Sequence, residues 1–248
     1  MSLVAQPMPP SHSSPNAAAS NADFEFAALQ QAANYRAALI TSFRPWLRGH
    51  LLEVGAGIGQ MSQAMRSLPE VTRHVAVEPD AKFLPALHQV LPATDIVEGT
   101  AHNVPSGQPW DALVSINVLE HIEQDDAELA FYNQLLAPRR GHLCLFVPAR
   151  QEIYAPLDKD FGHFRRYSAK TLRAQLERAG FEIVKLRYYN LLGYFAWWWS
   201  FCVRKNRGFN ASSVRFYDRM LFPPVFRWEH HVLSPFIGQS VLVVARAK

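Results

Sequence analysis

The sequence predicts an α/β fold built on a doubly wound, seven-stranded and mostly parallel sheet whose last strand is antiparallel. Short apolar runs alternate along the chain with longer amphipathic segments, as parallel strands do when helices make the crossovers between them. The first apolar run leads into a glycine-rich stretch, which is typical of a strand that turns tightly into a helix. At 248 residues the chain is long enough for one such domain with an insertion.

Seven apolar runs are expected to form the strands. The first six are LLEV (51–54), HVAVE (74–78), DIVEG (95–99), ALVSIN (112–117), HLCLFVP (142–148) and FEIVKLRYY (181–189). The seventh, SVLVVARAK (240–248), follows a long excursion of the chain. We expect it to enter the otherwise parallel sheet as an antiparallel strand.

The segments between these runs have helical spacing. Helices are predicted at 23–43, 59–68, 81–91, 127–138 and 168–181. The last of these opens with Ser168 as a cap and closes on Gly180. We expect residues 1–22, rich in Pro, Ser and Ala, to form a disordered tail, and the aromatic-rich residues 190–238 to form a cap over one end of the sheet within a domain at 23–248.

Composition and charge narrow the classes of function. The formal net charge is +4 with lysine and arginine scattered, so we expect no nucleic-acid partner. Cys144 and Cys202 lie far apart in apolar runs, as buried free thiols in a reducing compartment do. Residues 1–22 lack the pattern of a secretory signal, and the apolar stretch 191–203 is shorter than the roughly 20 residues of a spanning helix. A cytoplasmic protein is therefore expected.

The stretch HLLEVGAGIGQ (50–60) places Gly55, Gly57 and Gly59 at alternate positions directly after the first strand. A dinucleotide-binding loop would follow the G-x-G-x-x-G pattern, with pyrophosphate on the helix N-terminus. The spacing here differs from that pattern. A tight turn that only packs a helix on a strand is the structural alternative for such a stretch.

Further chemically useful residues stand at the carboxyl ends of the first four strands, where open α/β sheets bind their ligands. In strand order they are Glu53 with Gly55, Ala56 and Gly57; Glu78 with Pro79 and Asp80; Gly99, Thr100 and Ala101; and Asn117, with Glu120 and His121 one turn later. Packing alone does not require this ordered set.

This set resembles the class I S-adenosylmethionine-dependent methyltransferases, over roughly residues 35–190 and the final strand. The resemblance implies S-adenosylmethionine as cofactor and a small-molecule acceptor. Adenosylmethionine carries no phosphate, so a third loop glycine is unnecessary, while Gly55 and Gly57 let its methionine and ribose lie against the backbone. A carboxylate at Glu78 can accept both ribose hydroxyls.

The resemblance also implies an adenine slot lined by Phe83 and the turn at 99–101, and a tyrosine, Tyr35, that closes over the methionine end. The whole implied cofactor-binding set is Tyr35, Glu53, Gly55, Ala56, Gly57, Glu78, Pro79, Phe83, Thr100, Ala101 and Asn117. In many relatives an acidic residue stands where this chain has Thr100.

The sequence NVLEHI (117–122) contains the candidate catalytic residue, His121. It resembles the LEH motif of ubiquinone-type O-methyltransferases, some of which hold a metal with two carboxylates and this histidine. Asn117 replaces the first of those carboxylates, so we predict no metal. An imidazole can act as a base near neutral pH, but His121 could equally serve packing or capping.

A second group of candidates lies in LDKDFGHFRRYSAKTL (157–172), after the fifth strand. We expect this loop to cross the mouth of the site and to bind the acceptor through side chains that can donate bidentate or orienting hydrogen bonds. These are His163, Arg165, Arg166 and Tyr167. In the alternative interpretation, the arginines pair with Asp158 and Asp160 and only pin the loop.

The excursion LLGYFAWWWSFCVRKNRGF (191–209) places three tryptophans beside a basic segment. It could line an apolar acceptor pocket, touch a membrane transiently as an interfacial helix, or fill the core of the cap and a dimer interface, the oligomeric state being open.

The sequence thus predicts methyl transfer to an O or N atom of a small, aromatic or apolar metabolite. The alternatives are a peripheral-membrane methyltransferase that acts on a lipid-linked sugar or quinone, and a non-catalytic cofactor-binding partner protein.

Overall fold

The computed structural model describes residues 31–208, 210–231 and 235–248, and within them a single sheet of seven strands. The strands are β1 (Gly49–Val54), β2 (Val71–Glu78), β3 (Ile96–Glu98), β4 (Ala112–Ile116), β5 (His142–Pro148), β6 (Phe181–Tyr189) and β7 (Ser240–Ala247). Their order across the sheet is β3-β2-β1-β4-β5-β7-β6. The predicted fold class is confirmed.

Strand direction follows the expected pattern. Strands β1 to β5 pair parallel to one another, and β7 enters antiparallel between β5 and β6. The order reverses between β1 and β4, since the chain first builds outward to β3 and then returns to the other side of β1. Such a reversal leaves a crevice at the carboxyl ends of the strands, where ligands bind.

Helices cover both faces of this sheet. They are α1 (Ala33–Phe43), α2 (Ser62–Arg66), α3 (Leu84–Val90), α4 (Asp125–Leu136), α5 (Pro156–Asp160), α6 (Ala169–Arg178), α7 (Leu191–Trp197), α8 (Ala211–Phe216) and α9 (Phe222–His231). Segments of π-helix, Trp198–Val203 and Tyr217–Leu221, continue α7 and α8.

Strand β5 shows how the sheet divides the core. Leu143, Leu145 and Val147 pack into one apolar cluster, whereas Cys144 and Phe146 pack into the cluster on the opposite face. All five side chains are buried. Successive strand residues point to opposite faces, so a continuous apolar run is what a doubly covered strand requires.

The predicted helix boundaries shift where turns occupy the ends. The helix predicted at 59–68 is limited to Ser62–Arg66, because the chain is still turning at Gly59, with φ +80°. The helix predicted at 23–43 is described from Ala33 onward, and residues 23–30 and the predicted tail at 1–22 lie outside the described residues.

The segment between β6 and β7, residues 190–238, contains α7, α8 and α9 and is called the cap below. Glu229 near its end is buried and accepts hydrogen bonds from the backbone N–H groups of Asn190 (3.0 Å) and Leu191 (2.7 Å) at its start. Asp218 accepts hydrogen bonds from the N–H groups of Asn34 (3.0 Å) and Tyr35 (2.8 Å), which otherwise lack partners in the first turn of α1. Glu229 therefore joins the end of the cap to its start, directly after β6, and Asp218 attaches the cap to α1.

We expect Glu229→Ala to lower the free energy of unfolding by about 1 to 3 kcal/mol, because it leaves two buried N–H groups without an acceptor. Urea denaturation followed by circular dichroism measures this change. Glu182→Ala is the matched control, since it removes an exposed carboxylate paired with Arg246 and should have much less effect. Equal effects of the two substitutions would contradict the anchoring role of Glu229.

Candidate active site

The loop that leaves β1 has the backbone conformation that glycine alone adopts freely. Gly55, Gly57 and Gly59 have φ of +76°, +56° and +80°. A Cβ on Gly55 would lie 2.3 Å from Cγ2 of Val118, in the turn after β4. A Cβ on Gly59 would lie 3.1 Å from Cγ2 of Val90 in α3. The first of these glycines therefore lets the loop approach the neighbouring strand end, and the third lets it pack on a helix.

Glu78, the last residue of β2, is held against this loop. Its Oε2 accepts a hydrogen bond from the N–H of Gly57 at 2.6 Å, and its Oε1 accepts one from the N–H of Asp80 at 2.9 Å. Burial raises the pKa of Glu78, while these two hydrogen bonds act in the opposite direction. Each carboxylate oxygen can accept more than one hydrogen bond, so the group retains acceptor capacity for a ligand.

Glu53, in contrast, points into the fold. Its Oε2 accepts a hydrogen bond from the hydroxyl of Ser62 at 2.6 Å and lies 3.0 Å from Nε2 of His74. The side chain is buried. Glu53 thus joins β1, β2 and α2 beneath the glycine loop, and Ala56, also buried, lies within the loop.

The remaining strand-end residues lie beside the loop in the expected order. Phe83 is buried at the start of α3, and Ala101 is buried in the turn after β3. Thr100 and Pro79 are exposed. The Thr100 N–H donates to Oδ1 of Asn103 at 2.9 Å, and this bond fixes the turn. Asn117 follows β4 with φ +52°, a conformation that asparagine tolerates better than most residues.

The LEH turn, residues 119–121, packs against the loop predicted to cross the site. The N–H of Phe164 donates to the carbonyl of Glu120 at 2.8 Å, and the rings of His121 and His163 lie 4.7 Å apart. The surrounding protein atoms and the adjacent His163 lower the pKa of His121 to about 4, although a hydrogen bond with the backbone of Gly162 favours its protonated form. His121 is therefore neutral near pH 7. One side of the residue remains exposed to solvent.

Glu120, His121 and His163 bring one potential ligand atom each to within 4.8 Å of one another. Such a group of donors resembles those that bind divalent metals. The prediction that no metal takes part stays a prediction.

Asp158 organises the loop at 157–167. Its Oδ1 lies 2.9 Å from Nδ1 of His163 and accepts from Nε of Arg166 at 2.9 Å, and its Oδ2 accepts from the N–H of Ala155 at 2.8 Å. The carboxylate has no exposed surface. Burial alone would raise the pKa of Asp158, but the contacts with His163 and Arg166 outweigh it and lower the pKa. A buried, ionised carboxylate thus fixes both of its partners.

Arg165 and Tyr167 contact a different carboxylate. Asp125, at the start of α4, lies 2.6 Å from Nη1 of Arg165 and 2.9 Å from the hydroxyl of Tyr167. Tyr167 is buried in the core between the sheet and its helices. These contacts agree with the alternative interpretation, in which part of the loop is pinned, although the arginines' partners are Asp125 and Asp158, and Asp160 contacts Arg207 instead.

A cavity of about 680 Å³ opens between the strand ends and the cap. Its aromatic lining consists of Tyr35, Phe146, Phe161, Trp197, Phe201, Phe216 and Tyr217. Its polar lining includes Asn117, Glu120, His163, Arg166, Asn190 and Gln239. Asn117 therefore connects the predicted cofactor side to this cavity, and of the four predicted acceptor-binding residues His163 and Arg166 line it.

Several functional candidates were missed by the sequence analysis. Asp158 was considered only as an alternative partner of the arginines, and Glu120 only as part of the LEH motif. Trp197 stacks under the guanidinium of Arg166, whose Cζ lies 4.4 Å from the ring centroid, and donates from Nε1 to the carbonyl of Ile153 at 3.0 Å. The two aspartates that precede the arginines in the same loop were the available signal for Asp158. No pattern pointed to Trp197 rather than its neighbours.

Comparison with known families identifies the class of this fold and site. The model of the family described as "Methyltransferase domain" matches residues 26–186. The chain therefore belongs to this methyltransferase family. No curated protein sequence matches the chain.

Solved structures share the fold at low sequence identity. A methyltransferase of Thermotoga maritima, named as a possible histamine N-methyltransferase, is 15% identical, with 88% of this chain and 92% of that chain covered and a TM-score of 0.58. An S-adenosylmethionine-dependent methyltransferase of Mesorhizobium loti is 17% identical, with 84% and 97% covered and a TM-score of 0.56. A complex with the Trm112 methyltransferase activator of Haloferax volcanii is matched at 13% identity, with 94% and 97% covered and a TM-score of 0.60. These neighbours share the fold of this chain.

Gly57→Ala should weaken adenosylmethionine binding at least about tenfold, a cost of about 1.4 kcal/mol, because a side chain would stand where the ligand meets the backbone. Isothermal titration calorimetry measures this affinity. Gly107→Ala is the control, since Gly107 also has positive φ (+81°) but has open space around its Cβ position. Unchanged affinity in Gly57→Ala, with both variants folded, would place the cofactor elsewhere.

Proposed function

We propose that this enzyme transfers the methyl group of S-adenosylmethionine to an O or N atom of a small, aromatic or apolar acceptor. The observation that carries this proposal is the cavity, which begins at Asn117 beside the strand ends and presents seven aromatic side chains among polar ones. Its volume of about 680 Å³ lies within the range of about 300 to 1,000 Å³ that is usual for small-molecule sites.

The residues of the glycine loop and of β2 suit the cofactor. Glu78 is fixed by two backbone N–H groups and retains acceptor capacity for the ribose hydroxyls. The positive φ at Gly55 and Gly57 leaves bare backbone where a ligand can approach. The adenine of the cofactor would lie against residues that follow β2 and β3. These are Pro79, Phe83, Thr100 and Ala101. Bound adenosylmethionine supplies a methyl group already activated by its sulfonium, so the protein need only align and desolvate the acceptor.

Tyr35, Asn117 and Arg166 border the acceptor side of the proposed site. Tyr35 is held by its backbone bond to Asp218 and packs edge-on against Phe146 at 6.2 Å between ring centroids. Arg166 is committed to Asp158 but still borders the cavity, where its charge can orient an acceptor with a partial negative charge. Arg165 and Tyr167 support the loop from behind through Asp125.

Two imidazoles lie near the acceptor side and can take a proton there. His163 lines the cavity, with Nδ1 directed at Asp158. His121 is exposed and does not itself line the cavity, but its ring packs edge-on against that of His163. We assign the general base to His121, in keeping with its place in the LEH turn. A base is required only where the acceptor atom must lose a proton as it is methylated.

The proposal is tested by incubating the enzyme with methyl-labelled adenosylmethionine and a panel of phenols and aromatic amines, and by measuring adenosylhomocysteine. Ser200→Trp fills the cavity from the cap side without touching the glycine loop. We expect this variant to bind adenosylmethionine normally and to raise the acceptor KM at least about tenfold. Cofactor binding without product from any acceptor would instead support a non-catalytic binding protein.

His121→Ala should lower kcat by about 10² to 10⁴ if His121 accepts the proton. With its pKa at about 4, the base is neutral at higher pH, so the wild-type rate should fall only as the pH drops through about 4. A pH profile of kcat measures both effects. His88→Ala removes an exposed histidine of α3 and serves as the control. A rate near that of the wild type would give His121 a packing role.

A further inference from the structure

The first helical segment of the cap, residues 191–203, is apolar on both its buried and its exposed face. Gly193, Trp197 and Phe201 recur every four residues and are buried. Between them, Trp198 is 44% and Trp199 is 54% exposed, whereas Tyr194 and Ser200 are half-buried. Phe195 and Val203 continue this exposed stripe at helical spacing.

The second helical segment of the cap repeats the arrangement. Asp218, Phe222 and Glu229 face inward and are buried. Phe216, Met220 and Trp228 lie at four- and eight-residue spacings on the outside and are 59%, 62% and 44% exposed. In the part of the chain that the structure describes, the large exposed apolar side chains outside the cap are Phe164 and Val184. The cap thus concentrates the apolar surface of the molecule.

The charge exposed on the cap has one sign. Its basic residues are Arg204, Lys205, Arg207, Arg215, Arg219 and Arg227, and all of them are exposed. Its two acidic residues, Asp218 and Glu229, are buried and engaged by backbone N–H groups. Of these cations, Arg207 is paired with Asp160, which lies outside the cap. An apolar surface surrounded by exposed cations is complementary to a layer of anionic headgroups over hydrocarbon.

We propose that the exposed face of the cap, formed by Phe195, Trp198, Trp199, Val203, Phe216, Met220 and Trp228 with the six surrounding cations, docks on an anionic lipid bilayer. Tryptophan favours the interface between headgroups and hydrocarbon, and arginine and lysine side chains reach the phosphates around it. The attachment is peripheral, since none of the helices in the described ranges is both long and apolar enough to cross a bilayer.

A second copy of this chain fits the surface less well. Pairing two caps face to face would bring cations toward cations, with no exposed acidic side chain of the cap to compensate, and like charges across an interface oppose association. An anionic membrane removes this repulsion and provides the attraction.

The docking surface reaches the cavity. Phe216 and Leu221 are both exposed and line the cavity, so the bound bilayer would lie beside its opening. This proposal goes beyond the proposed function, since it concerns where the enzyme acts and requires no particular acceptor.

Vesicle flotation with the full-length protein tests the proposal. We expect the protein to float with phosphatidylcholine vesicles that contain about a third phosphatidylglycerol, and to remain unbound with phosphatidylcholine alone. The double variant Trp198→Ser, Trp199→Ser and the triple variant Arg215→Gln, Arg219→Gln, Arg227→Gln should each bind at least about tenfold more weakly.

The controls are Val184→Ser, an exposed apolar residue of β6, and Arg173→Gln with Arg178→Gln, two exposed cations of α6. Both should bind vesicles like the wild type. A further test needs only the wild-type protein. Brominated phosphatidylcholine in the anionic vesicles should quench the tryptophan fluorescence when the protein binds.

The proposal is overturned if the wild type fails to float with anionic vesicles or if the cap variants float as well as the controls. It is also overturned if sedimentation shows a dimer that the tryptophan variant dissociates and vesicles do not bind. Calorimetry with adenosylmethionine on the same preparations separates the two proposals: normal affinity without vesicle binding would remove the docking surface and leave the proposed function standing.

Discussion

The contact between Glu78 and the N–H of Gly57 connects the fold of this protein to its chemistry. Parallel pairing of β1 and β2 places Val54 opposite Val77, so both strands end at the same level and the β2 carboxylate meets the loop that leaves β1. Gly57 has positive φ, which glycine adopts freely, and its N–H donates to that carboxylate. A shift of one residue in the register would send Glu78 to the other face of the sheet. The proposed cofactor side of the site therefore depends on the alignment of two neighbouring strands.

The acceptor side is built on a different physical basis, namely buried charge. Asp158 and Asp125 each collect cationic or hydrogen-bonding partners from the same loop and hold it across the strand ends. Charges taken out of water must be compensated by well-placed partners, and a partly satisfied cluster is costly. The hydrogen bonds and ion pairs of Asp158 and Asp125 consequently determine the conformation of the loop. This conformation places His163 and Arg166 at the cavity.

Much of the fold could be predicted because apolar periodicity and turn residues are local signals. The strands at 142–148 and 181–189 have the predicted limits, and the antiparallel direction of β7 followed from its position after a long excursion. The predicted helix ends were less accurate where a loop extends into the predicted helix, as it does at Gly59. Partners distant in sequence could not be predicted: Glu229 contacts the backbone of Asn190, 39 residues away. For the same reason, the inward direction of Glu53 toward His74 has no local signature.

The cap leaves the sheet at Tyr189 and rejoins it at Ser240, and these two residues are directly paired across β6 and β7. The first and last residues of the cap therefore lie next to paired residues of adjacent strands. The glycine loop, in contrast, belongs to strands on the other side of β5. Exchange of the chain between those two points would keep the sheet and the glycine loop, provided that the new segment also supplies an acceptor for the first turn of α1, as Asp218 does here. A single replaced segment would then change the lining of the cavity while the strand ends beside the glycine loop stay as they are.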